Sequence, residues 1–257
     1  MASGYIVSYL MPPEPVPVQM WKKIQERGKI IVGSSPDWPP FEYLDPTGKF
    51  VGFEVELVET IASRLGLKVE WRAMEFDSII PAVLEKKIDL GVSGFSVTPE
   101  RVKIVKFTTP HSITESQIVM LKSRAQNLNI VKIDSLQELD ELDLIVGTGE
   151  GTVQEDELKK NAPKVLRSFK DFNTALLEMK NGTIDAVYAE TPVTSWWVLE
   201  AEKAGEEPIV IVYRKSFWPV AFVAHMDNDL FVTKLNEVFA EMLADGTMDQ
   251  IKEKWKI

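Results

Sequence analysis

The 257-residue chain reads as an α/β protein of two lobes, each a central, mostly parallel sheet flanked by helices. Three observations predict this. From Trp21 onward, strand-length apolar runs alternate with helical patterns across short breaks, as in βαβ units. A design also recurs. AVLEKKIDLGVSGFSVTP (82–99) and ALLEMKNGTIDAVYAETP (175–192) share an amphipathic helix, a polar break, Ile-Asp, a buried strand, a polar strand end and Thr-Pro. Finally, HSITESQIVMLKS (111–123) and IVIVYRKSFWPVAFVAH (209–225) are long extended runs that read as two hinge crossovers. They divide the chain into lobe 1, residues 21–112 and 216–257, and lobe 2, residues 113–215.

Taken in order, residues 1–20 have no basic n-region and only a short apolar run, so they are neither an intact signal peptide nor a spanning helix. Pro12, Pro13, Pro15 and Pro17 favour an extended tether, with a disordered tail as the alternative. KIIVGSS (29–35) is the first buried strand. FEYL and FVGF form a hairpin around the turn Asp45–Gly48. In GFEVELVETIASRLG, Leu57, Val58, Ile61, Ala62 and Leu65 share one helical face, which stops at Gly66. The strand KVEWRAM and the helix around SIIPAVLEKK lead to the first copy of the recurring design.

In that copy Ile88–Val92 is a strand, and Thr98 and Pro99 open a helix whose first turn carries Arg101. Hydroxyls, unpaired backbone N–H groups and a guanidinium there suit a carboxylate. The alternative is an ordinary capped helix with Arg101 in solvent. In lobe 2, SLQELDEL, VQEDELKKN and FNTALLEMKNG are helices, DLIVGTGEGT and KVLRSF strands, and IDAVYAETP a strand ending at Glu190. Trp196 and Trp197 read as core. Two amphipathic helices close the chain, split at Asp245 and Gly246, with Leu235, Val238, Phe239, Met242 and Leu243 turned toward the lobe 1 sheet.

Composition narrows the function. An apolar fraction of 45% and a charged fraction of 26% are those of a soluble globular protein. The net charge of −10 argues against nucleic acid or an anionic membrane surface as partner. The absence of cysteine removes disulfides, thiolate catalysis and cysteine-ligated metals. His111 and His225 are the two histidines, far apart in sequence, and are read as structural. No metal and no cofactor is expected. GTGEGT (147–152) lacks the Lys of a phosphate-binding loop, which argues against a nucleotide.

Ligands of open parallel sheets sit beyond the carboxyl ends of the strands. That rule selects Ser35–Trp38, Ser93–Arg101, Gly147–Thr152 with Gly149 in the turn, and Glu190. The set fits an α-amino acid, with Arg101 and N–H groups near Thr152 for the carboxylate and Glu190 for the ammonium.

GFEVELVETIASRL, preceded by PPFEYLD and followed by FDSIIPAVLEKKIDLGVSGFSVTPERVKIVKFTTP, resembles the extracellular solute-binding proteins of polar amino-acid ABC transporters, bacterial solute-binding protein family 3. The resemblance runs from about Trp21 to the C-terminus. It implies the two-lobed periplasmic-binding-protein type II fold closing on one ligand. By position, Ser93, Gly94, Ser96 and Arg101 match residues that hold the amino-acid head group. Thr152, Val153 and Gln154 match the loop that completes the carboxylate site, and Glu190 stands where the family usually has Asp. Trp38 and Phe76 match two aromatics that sandwich the ligand side chain. Ser35 occupies a position often filled by Asp, so the usual partner for a distal ammonium is missing. Asp37, Glu75 or Glu150 can supply that charge, or can be solvated acids. His111 replaces a common Tyr at the hinge.

The resemblance implies a monomeric periplasmic or extracellular receptor, with a possible N-terminal membrane tether. It would deliver a free L-amino acid to a transporter permease without breaking a bond. A cation over aromatic faces favours arginine, with glutamine second. The alternatives are an enzyme similar to cyclohexadienyl dehydratases and the sensing domain of a membrane receptor.

Overall fold

The computed structural model describes residues 14–257. The first element, α1 (Val16–Arg27), is a helix where the prolines suggested an extended tether. Pro15 sits at its N-cap and Pro17 in its first turn, where a missing N–H costs nothing, and Trp21 and Ile24 bury the inner face. The rest of the proposed tether, residues 1–13, lies outside the described residues.

Strand β1 (Lys29–Ser34) is followed by the small antiparallel sheet of β2 (Asp37–Trp38), β3 (Glu42–Leu44) and β4 (Phe50–Val51). The expected hairpin turn is present, and the Asp45 carboxylate accepts from the backbone of Thr47 and Lys49. Helix α2 (Phe53–Arg64) buries Leu57, Val58, Ile61 and Ala62, with Leu65 half-buried beyond its end. Then come β5 (Lys68–Ala73), α3 (Phe76–Leu84), β6 (Leu90–Gly91) and β7 (Val105–Phe107). Between the last two, the helix expected from Thr98–Pro99 is corrected to a single 3₁₀ turn, Arg101–Lys103. The chain re-enters the sheet at Val105, which leaves no room for further turns.

The long strand β8 (Ser112–Leu121) leads to α4 (Lys122–Asn127), α5 (Gln137–Glu141), β9 (Val146–Gly149), α6 (Val153–Asn161), β10 (Leu166–Phe169), α7 (Phe172–Lys180), β11 (Ala186–Glu190) and α8 (Thr191–Ala204). The second long strand, β12 (Ile209–Val220), pairs antiparallel with β8 from Leu121 to Ser112. It breaks at Ala221–Phe222 before β13 (Val223–His225), so the expected single run is two strands. Helices α9 (Asp229–Ala244) and α10 (Thr247–Trp255) end the chain. Leu235, Val238, Phe239 and Met242 are buried as expected, whereas Leu243 is 58% exposed and faces water.

The two main sheets match in design. One has the order β5-β1-β6-β13-β7 and the other β10-β9-β11-β8-β12. In each, four strands run one way and one, β13 or β8, runs against them in the fourth place. The carboxyl ends of β1, β6, β9 and β11 carry the residues that face one cleft.

Candidate ligand-binding site

Eleven of the twelve predicted residues line one cavity between the lobes: Trp38, Phe76, Ser93, Gly94, Ser96, Arg101, Gly149, Thr152, Val153, Gln154 and Glu190. Lobe 1 supplies its share from an irregular stretch. Gly94 adopts φ +59, and a Cβ there would lie 2.3 Å from the Trp38 ring, so only glycine lets the backbone lie against that indole. Beneath the turn, Ser93 Oγ donates to the buried Glu42 carboxylate at 3.2 Å, and Gly94 N–H donates to Glu54 at 3.2 Å. The other Glu54 oxygen is 2.8 Å from His111 Nε2, so the histidine at the hinge fixes the acid that fixes the turn.

Arg101 is reached through the short 3₁₀ turn. Its N–H donates to the Thr98 hydroxyl, and its guanidinium donates to the Ser96 carbonyl at 3.1 Å and, across the cleft, to the Gly151 carbonyl at 2.9 Å. The guanidinium also stands over the rings of Phe76 and Phe95, 5.5 and 5.6 Å from their centroids. Burial lowers its pKa, and the Glu190 charge opposes that. Both partners are neutral carbonyls, so the guanidinium keeps its capacity for a carboxylate.

Lobe 2 contributes the start of α6 and the end of β11. Thr152 caps α6, accepting from Glu155 N–H and donating to the Gly149 carbonyl at 2.7 Å. Val153 and Gln154 form its first turn, where unpaired N–H groups favour an anion. Glu190 closes β11 and accepts from Ser96 Oγ at 3.0 Å across the cleft. Burial pushes its carboxyl up to about 7, while the Ser96 and Gln154 side chains and then Arg101 work against that rise.

Ser35 is placed differently. It lies outside the cavity lining, and its hydroxyl donates to Asp37 at 2.7 Å. Asp37 itself lines the cavity, and its second oxygen accepts from Phe172 N–H of the other lobe at 2.9 Å. Burial raises its pKa. Glu150 also reaches the lining, while Glu75 meets Lys170 outside it. Lys170, Asp171 and Phe172 were not anticipated. They follow β10, and extending the strand-end rule to KVLRSF selects them.

Two lobes on paired long strands, with a half-buried cation from one and a buried acid from the other facing a common cleft, have the build of a cleft-binding receptor. The model of the bacterial extracellular solute-binding proteins, family 3, matches residues 30–256, and the chain belongs to that family. It is 28% identical over 229 residues to ABC transporter arginine-binding protein 1 of Escherichia coli (strain K12), covering 88% of this chain and 90% of the relative. It is 31% identical over 240 residues to the arginine-binding extracellular protein ArtP of Bacillus subtilis (strain 168), covering 88% and 86%. Among solved structures, an ancestral arginine-binding protein bound to arginine superposes with TM-score 0.80 at 36% identity, covering 89% of this chain and 98% of that one. An ancestral arginine-binding protein bound to glutamine gives 0.79, also at 36% identity and with coverage of 89% and 98%. The ancestral amino-acid-binding protein AncCDT-1, a precursor of cyclohexadienyl dehydratase, gives 0.81 at 31% identity, covering 92% and 99%.

Proposed function

We propose that the protein binds one free L-amino acid between its lobes and hands it to an ABC-transporter permease, with arginine the leading ligand and glutamine second. One observation carries this reading: Arg101 and Glu190 enter one buried cavity from opposite lobes, both tied to Ser96. Arg101, with the first turn of α6, receives the carboxylate. Glu190 and Ser96 receive the ammonium, and Trp38 and Phe76 cover the side chain. Residues 113–215 move against the remainder about β8 and β12, and ligand favours the closed form because only there does it touch both lobes. Relatives that bind arginine, and an acidic side-chain end at Asp37 and Glu150, support arginine. The protein acts as a monomer on the outer side of a cytoplasmic membrane.

A thermal-shift screen of the common amino acids followed by calorimetry tests the reading. Arginine at 100 times Kd raises stability by about 2.7 kcal/mol. No shift with any amino acid sinks the proposal.

One observation favours a second reading. A carboxyl near 7 inside a cleft can act as a general acid, as an elimination enzyme requires. Incubation with prephenate and arogenate separates the two, since a binding protein releases no aromatic product.

A further inference from the structure

The interlobe cavity offers only about 20 Å³, room for a water or two. Beside it lies a larger chamber of about 500 Å³, open to solvent. Asp37, Lys170 and Asp171 line both spaces and form the wall between them. A free amino acid needs more room than the cleft offers here, so the lobes part to admit it, and a side chain as long as arginine's then reaches the residues that the two spaces share.

The acids at the wall are not equivalent. Asp37 is occupied by Ser35 and Phe172 N–H, and Asp171 caps α7 by accepting from Thr174 N–H at 2.7 Å. Glu75 and Glu150 are held by a cation instead: Lys170 Nζ lies 2.9 Å from Glu150 and 3.2 Å from Glu75. Glu75 precedes α3 in lobe 1, while Glu150 and Lys170 belong to lobe 2, so this ion triad spans the cleft. It carries two negative charges and one positive charge, and the lysine already neutralises part of the acidic pair.

We propose that Lys170 is a specificity-determining residue, an internal cation that competes with the ligand's side-chain cation for Glu75 and Glu150 at the passage from the cleft to the outer chamber. This rests on the amino-acid reading and adds to it the residue that sets side-chain charge preference and length tolerance. A guanidinium displaces Lys170 from the two carboxylates and continues into the outer chamber. A neutral side chain leaves the triad in place, so Lys170 narrows the difference between arginine and glutamine. Lys170 is half exposed, and its removal leaves no buried gap.

The test is calorimetric titration of the wild type, Lys170→Met and Lys170→Gln with L-arginine, L-homoarginine and L-glutamine, with melting temperatures to verify folding. Both substitutions are expected to raise the ratio of arginine to glutamine affinity about three- to ten-fold, the effect of one nearby like charge at a partly exposed site. Homoarginine is expected within about five-fold of arginine in the wild type, because its extra methylene extends into open space. An unchanged ratio, with all three ligands weakened alike, overturns the proposal and makes Lys170 a plain closure contact. Loss of homoarginine binding by 100-fold or more refutes the passage into the chamber. Failure of the wild type to bind any of the three, while another amino acid shifts its melting temperature, overturns the arginine and glutamine assignment and this inference with it; no shift with any amino acid overturns the amino-acid reading itself.

Discussion

The two copies of the recurring design make opposite uses of the same local pattern. In lobe 2, β11 runs for five residues to Glu190, and Thr191–Pro192 opens the 14-residue helix α8 at once. The acid is therefore set at a rigid strand end. In lobe 1, β6 is two residues long, Gly94 turns the chain at φ +59, and Thr98–Pro99 produces only a 3₁₀ turn. That irregular route carries Arg101 back over Phe76 and Phe95 to face Glu190. One lobe thus presents a cation from an irregular turn packed against aromatics, and the other an anion at a strand end. On the proposed function neither half holds a zwitterion alone, and closing the lobes assembles the site.

The sharpest way to break this pairing is Arg101→Ala. Leaving a ligand carboxylate buried without its cation is expected to cost about 3–5 kcal/mol of affinity by calorimetry. An unchanged Kd removes Arg101 from the site. Glu190→Gln attacks the other half and should cost about 1.5–3 kcal/mol, the worth of a charge-assisted hydrogen bond. It should also flatten the pH profile. With its carboxyl near 7, Glu190 must lose a proton to pair with an ammonium, so wild-type affinity rises between about pH 6 and 8. The ligand-free protein behaves in the opposite sense. The fold raises this carboxyl above its ordinary 4.5, so the stability it contributes is complete below about 4.5 and is lost as pH rises through about 7. Melting curves of wild type and Glu190→Gln across that range should converge at low pH.

Smaller effects sharpen the contact between the lobes. Asp37→Ala leaves Phe172 N–H unpaired in the closed form, and an affinity loss of about 1–2 kcal/mol is expected with little change in ligand-free melting. Gly151→Ala introduces a Cβ 3.0 Å from Asp77 Cβ of the opposite lobe at φ +73. Strain of about 1 kcal/mol, a roughly five-fold weaker Kd, is its expected result, and an equal loss for a single isolated lobe function such as folding alone would argue against an interlobe role.

Much of the site was legible because strand ends can be read from periodicity. Ser93, Ser96, Gly149, Thr152 and Glu190 all lie where an apolar run gives way to polar residues before a helix or turn. Ser35 lies just past such an end too, yet its hydroxyl is taken up by Asp37 two residues on. Lys170 and Asp171 follow β10, an edge strand whose four residues are half-buried at best and whose end the apolar pattern marks weakly. The α1 helix was hidden by prolines that local chemistry permits only in a first turn.

By itself, the sequence determined the α/β alternation, the doubled design and the set of residues at strand ends, since each depends on hydrophobic periodicity and short-range turn chemistry. Only the tertiary structure decided which strand ends share a cleft, which acids are already occupied by hydroxyls and backbone N–H groups, and that Lys170 reaches across to Glu75. Those outcomes depend on how the two sheets approach one another. Contacts between residues 94 or 95 positions apart in the chain, such as Ser96 with Glu190 and Glu75 with Lys170, leave no periodic trace in a one-dimensional pattern.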